Sequence, residues 1–156
     1  MNRRSLAKTL KGGILLFWSF WFSIVCLTNL FDLLRSLAII SPNWPMVSGN
    51  FSLLQKTTSV YHFGEGFNTF LFAGVVVWEA LSAAFFWLAF IRFFRSEDLE
   101  RQTDAILRAF FCGITLFAAF AISCEIFLTY EIEGVHVSIF TALLISLIVV
   151  RMLPEP

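Results

Sequence analysis

The sequence predicts an all-α integral membrane protein, a bundle of four transmembrane helices with a long loop after the first. Three observations carry this. Charged residues make up 14% of the 156-residue chain, against about 25% in an ordinary soluble domain. Hydrophobic residues reach 58% and mean hydropathy is +0.81. Four apolar stretches are long enough for a crossing, which takes about 20 helical residues at roughly 1.5 Å each. Residues 1–156 read as a single transmembrane domain.

The first span covers about 13–34. Arg3, Arg4, Lys8 and Lys11 precede it, as basic residues precede the core of a signal peptide. The apolar run is too long for such a core, and no small-x-small cleavage site closes it before Asn29 and Asp32, so it reads as a retained helix. Residues 35–67 form the long outer loop. Pro42 and Pro45 forbid a continuous helix there, and Gly49-Asn50 is a helix-start signal. Leu54, Thr58 and Tyr61, beside Leu53 and Val60, predict a short amphipathic helix lying at the membrane interface, capped by Asn50.

The second span covers 68–91. Residues 92–108, with Arg92, Arg95, Glu97, Asp98, Glu100, Arg101, Asp104 and Arg108, read as a solvated turn. The third span covers about 106–128, and TYEIEG at 129–134 reads as a tight acidic turn. The fourth, at 135–153, is the shortest. On the third span Ala105, Ala109 and Gly113 recur every four residues, as Ala80 and Ala84 do on the second. Small residues so spaced let helix backbones approach, so these stripes predict packing of the second span on the third.

Orientation follows from the basic residues. With four spans, Arg3, Arg4, Lys8, Lys11, Arg92, Arg95, Arg101, Arg108 and Arg151 share one side, leaving Arg35 and Lys56 on the other. The positive-inside rule then places both termini in the cytoplasm. Trp44, Tyr61 and Tyr130 would mark the outer interface, and Trp87, Phe93 and Phe94 the inner one.

Polar groups within hydrocarbon are costly, which makes them informative. Counting helical rise from the basic ends puts Asn29, Glu79 and Glu125 about 20 to 27 Å deep, all in the outer half. They could meet inside the bundle. Glu79 would then be a proton carrier or ligand contact. It would otherwise be packing glue, bonded to Asn29, Ser82 or a backbone carbonyl. A second group gathers toward the outer face: Asp32, His62, Glu65, Glu131, Glu133 and His136. Imidazole with carboxylate suits a transition metal, and two histidines can hold haem, yet no HxxxH, HExxH or ExxH spacing occurs. No cofactor is strongly implied. Cys26, Cys112 and Cys124 each fall in a span and read as reduced apolar side chains.

The Asn29-x-x-Asp32 pair, the loop with SGNF at 48–51 and Trp78-Glu79 in VVVWEALSAAFFW resemble small four-helix bacterial inner-membrane proteins of uncharacterised function. The resemblance covers most of the chain. It implies a prokaryotic inner membrane and four spans, and it transfers no activity to any residue.

No phosphate-binding glycine loop, GxSxG nucleophile or base-reading basic patch is present. These absences lean against an enzyme without deciding it, and the chain reads as no nucleic-acid binder. The first reading is an accessory or structural subunit packing against a larger membrane complex of electron-transport type, with lipid and other membrane subunits, or copies of itself, as partners. The alternatives are a small proton or cation carrier using Glu79 and Glu125, and a quinone-, lipid- or haem-binding subunit. Reporter fusions test the threading on which all of these depend. Residues 50 and 132 are expected on the side opposite residue 98, and a shared side for either pair overturns it.

Overall fold

The computed structural model describes residues 3–96 and 98–154. Among them are α1 (Arg3–Ser36), α2 (Asn50–Thr58), α3 (Glu65–Arg95), α4 (Leu99–Ile126) and α5 (Tyr130–Met152), with a 3-10 turn at Ser59–Tyr61. The described residues form no strand. Four helices, α1, α3, α4 and α5, are long and apolar enough to cross a membrane.

These helices run past the expected spans because charged residues at their ends are themselves helical. The segment 92–108 is mostly helix, and the break lies between Arg95 and Leu99. Asp98 starts α4 there: its carboxylate accepts from the amides of Glu100 at 3.0 Å and Arg101 at 3.2 Å, satisfying donors that a helix start leaves open. Of the acidic TYEIEG segment, residues 130–134 are likewise helical and open α5, with Thr129 at its N-cap position. Glu131 and Glu133 suit that position, since the positive end of a helix dipole favours carboxylates. The turn itself is confined to Phe127–Thr129, with Leu128 in the left-handed conformation at φ 56°.

Around the bundle α1 packs on α3, α3 on α4 and α4 on α5, while α2 sits against α1 and α3. Three indole N–H groups tie neighbours together. Trp87 donates to Ser23 Oγ at 3.0 Å, joining α3 to α1. Trp78 donates to the Cys112 carbonyl at 3.2 Å, joining α3 to α4. Trp18 donates to Ser146 Oγ at 3.1 Å, joining α1 to α5. An indole in apolar surroundings needs such an acceptor, so each bond also fixes a helix rotation.

The core is aromatic. Phe22 stacks on Phe86 with centroids 5.4 Å apart, and Phe110 meets Phe86 edge-on at 5.0 Å. The small stripe of α4 makes room for this. Ala105, Ala109 and Gly113 are all buried. A Cβ at Gly113 would lie 2.9 Å from Phe22 Cζ and 3.5 Å from Leu143 Cδ1. That stripe therefore admits side chains from α1 and α5. The expected partner stripe on α3 points away: Ala80 and Ala84 are exposed. The buried face of α3 instead runs through Phe72, Val76, Glu79, Ser82, Ala83, Phe86, Ala89 and Phe93. This spacing is the interior stripe of a 3.6-residue helix, and it leaves Ala80 and Ala84 on the other side.

The Gly113 contact yields a prediction. The Phe22 ring is held by Phe86 and has little room to retreat, so Gly113→Ala should cost about 1–3 kcal/mol as overpacking. Ala84→Leu, on the exposed face, should cost the isolated chain almost nothing. Thermal unfolding in mild detergent, followed by circular dichroism, compares the two.

Candidate functional site

Polar side chains gather at the end of the bundle where α1 stops and α3 begins. Asn29 and Asp32 lie one turn apart on α1 and are 2% and 1% exposed. After Ser36 the chain turns through Ala38, at φ 55°, and runs back along α1. The Ser48 amide donates to the Thr28 carbonyl at 3.3 Å. The loop has thus returned about two helical turns, ~12 Å, down the side of α1. Gly49 reverses it at φ 79°, a conformation glycine adopts without steric cost, and α2 climbs out again.

Asp32 anchors this reversal. One carboxylate oxygen accepts from the Phe51 amide at 2.8 Å and from Ser48 Oγ at 3.2 Å. The other accepts from Arg35 Nη2 at 2.7 Å. Its role is that of an N-cap supplied by a neighbouring helix. Gly49, at the N-cap position itself, has no side chain to offer, and Asn50 is the first helical residue rather than the cap. Further along α2, Phe51 packs on Phe72 with centroids 5.5 Å apart. Thr58 donates to Asn68 Oδ1 at 2.7 Å. These contacts wedge one face of α2 between α1 and α3, while Ser52, Leu53 and Lys56 stay exposed. The physical reason is that Asn29 and Asp32, facing inward on α1, take their partners from the loop.

Glu79 occupies the floor beneath the wedge and is 3% exposed. Its Oε1 accepts from Asn29 Nδ2 at 2.7 Å. Asn29 Oδ1 in turn accepts from Asn50 Nδ2 at 2.9 Å, and Asn50 is exposed. Glu79 Oε2 is buried and has no hydrogen-bond partner among the described residues. The Cys26 thiol lies within electrostatic range of the carboxyl, with its Sγ 3.7 Å from the Val76 carbonyl. Ser82, one turn along α3, bonds the Trp78 carbonyl at 2.9 Å and Cys112 Sγ at 3.3 Å rather than Glu79.

Asn29 and Glu79 therefore meet, and Glu125 stands apart, exposed in the last turn of α4. The outer-face group is dispersed. Asp32 is spent on α2. His62 is exposed after the 3-10 turn with φ 55°. Glu65 and Glu131 are exposed in the first turns of α3 and α5, and Glu133 is half-buried. His136 faces α4, its Nδ1 3.3 Å from Cys124 Sγ and its ring 5.0 Å from Phe120. Among the described residues no three His, Cys, Asp or Glu side chains converge as metal ligands. Sequence reasoning missed Ser48, Asn50 and the Phe51 amide as members of the site. Their signal was the need of Asn29 and Asp32 for partners, which the polar triplet Ser48-Gly49-Asn50 supplies.

Removing the anchor has a defined outcome. Asp32→Ala leaves the Phe51 amide and the Ser48 and Arg35 donors without their acceptor. Arg35 is 32% exposed and can turn to solvent, whereas the buried Phe51 amide cannot, and an unsatisfied buried donor costs about 1–3 kcal/mol. The expected result is release of α2, read as fast hydrogen exchange at Phe51 and the following amides, with α3, α4 and α5 still protected.

Compared with known proteins, the chain matches no family model, no curated protein and no solved structure.

Proposed function

We propose that the chain is a four-span protein of the bacterial inner membrane with both termini in the cytoplasm. Its function is that of an accessory subunit packing against a larger membrane complex of electron-transport type. The four long apolar helices support the spans. The basic residues support the orientation. Lys8 Nζ sits 5.9 Å above the Phe94 ring, which draws the N-terminal basic cluster toward Arg92 and Arg95 at one end of the bundle.

One observation favours a protein partner over lipid alone. Small residues recur every four positions on outward faces. Gly134, Ser138 and Ala142 are all exposed along α5, and Ala80 and Ala84 are exposed on α3. Lipid tails solvate large apolar side chains as well as small ones. Close approach of another helix is what small residues permit. The flank of α5 is otherwise bare, since its buried residues are Leu143 and Val150. The haem reading gains no support, because His62 is exposed in the turn before α3 and His136 is turned onto Cys124. The carrier reading loses its second carboxylate, because Glu125 lies at the exposed end of α4.

Photo-crosslinking in intact membranes tests the proposal. A photoreactive residue at position 142 or 84 is expected to give a discrete adduct with another membrane polypeptide, and Ser138→Leu should abolish the adduct from position 142. Adducts with lipid alone would overturn the proposal. Adducts only with a second copy of the chain would replace it with a homo-oligomer.

A further inference from the structure

The buried carboxyl at Glu79 carries a second inference, independent of whether the flank has a partner. Glu79 has one satisfied oxygen and one buried oxygen without a partner. Buried polar atoms in folded proteins are nearly always bonded, so an orphan calls for an explanation. The surroundings limit what the missing partner can be. On α1 the nearby groups are Cys26, Asn29 and, a turn further out, Asp32 already paired with Arg35 at 2.7 Å. From α2 comes Asn50 alone, through Asn29. From α4 comes Cys112, through Ser82.

A metal cation fits poorly there. Hard cations take about six or more oxygen ligands. Glu79 offers two, Asn29 Oδ1 already accepts from Asn50, and helical carbonyls are committed to the backbone. A proton needs one ligand atom, and Glu79 Oε2 is that atom. The route is equally restricted. Toward the chain termini the way is filled by the packed rings of Phe22, Phe86, Phe110 and Phe117, all buried. Toward the opposite end stand Asn29 and exposed Asn50, at the foot of the loop that Gly49 reverses.

We propose that Glu79 is a reversible proton-binding site served from the α2 side of the bundle. One proton passes between bulk water and Glu79 Oε2, converting carboxylate to carboxylic acid. No other bond changes. In the bound state Asn29 goes on donating to Oε1, so the α2 wedge stays in place while the charge beneath it is cancelled. Release and uptake require Asn50 to part from Asn29, which makes the wedge the cover of the site.

Infrared difference spectroscopy on the whole protein in lipid, with carbon-13 glutamate labelling, tests this. A carboxylic-acid C=O band is expected at the acid end of the pH range over which the protein stays folded, and is expected to be lost as pH is raised across that range. The band should be absent in Glu79→Gln. If Glu79→Gln fails to fold, Glu79→Asp supplies the assignment: the residual band should then lose its sensitivity to labelled glutamate. Asn50→Leu should slow the response to a pH step without removing the band. A Glu79 band unchanged across the range, or no such band at any pH, would sink the inference and leave Glu79 as a structural hydrogen-bond acceptor.

Discussion

The carboxylate of Asp32 is the constraint on which the loop end of this bundle depends. A loop that folds back between apolar helices brings peptide groups with it, and those that become buried need partners. Asp32 meets that demand for the start of α2. It binds the Phe51 amide, the Ser48 hydroxyl and the Arg35 guanidinium at once. Being charged, it makes stronger hydrogen bonds than a neutral acceptor would, and Arg35 offsets its charge within the same turn. Everything deeper follows from this fixed point. With Ser48 and Phe51 held, Asn50 faces Asn29, and Asn29 in turn faces Glu79.

The other end of the bundle is held differently. There close packing of rings and a few polar bonds join the helices. Phe22, inserted against Gly113 and stacked on Phe86, supplies fit. Trp18, Trp78 and Trp87 supply the bonds. Glu79 thus lies between the Asn29–Asn50 contacts of the loop end and the packed rings of Phe22 and Phe86.

Much of the fold was legible in the residues. Four apolar runs announce four long helices, because length and hydropathy leave few other structures. Their ends were harder to read. Glu, Arg and Gln over 99–108 look like part of a solvated turn by charge, yet they are good helix formers and Asp98 caps them. The left-handed Leu128 has no signal in the sequence, and counting depth alone does not reveal that Glu125 lies exposed in the last turn of α4. The meeting of Asn29 with Glu79 was legible from depth, since polar groups at similar heights seek each other. The posture of α2 was not. An amphipathic pattern such as Leu54, Thr58 and Tyr61 is the same whether the helix lies flat or is wedged inward, and the difference rests on partners from 21 residues away or less in the chain, as for Asn50 and Asn29. The rotation of α3 was also hidden. Ala80 and Ala84 looked like an interior seam, but Glu79 and Phe86 take that face.

The bond from Trp18 to Ser146 joins the first long helix to the last across 128 residues of chain. Other joints in the bundle link α1 with α3, α3 with α4, and α4 with α5, so each can form as soon as the later helix is made. The Trp18 latch has to wait for α5. Until α5 is in place, the Trp18 indole N–H has no Ser146 hydroxyl to bond. Loss of α5 would therefore free a donor on the first helix as well as uncover α4.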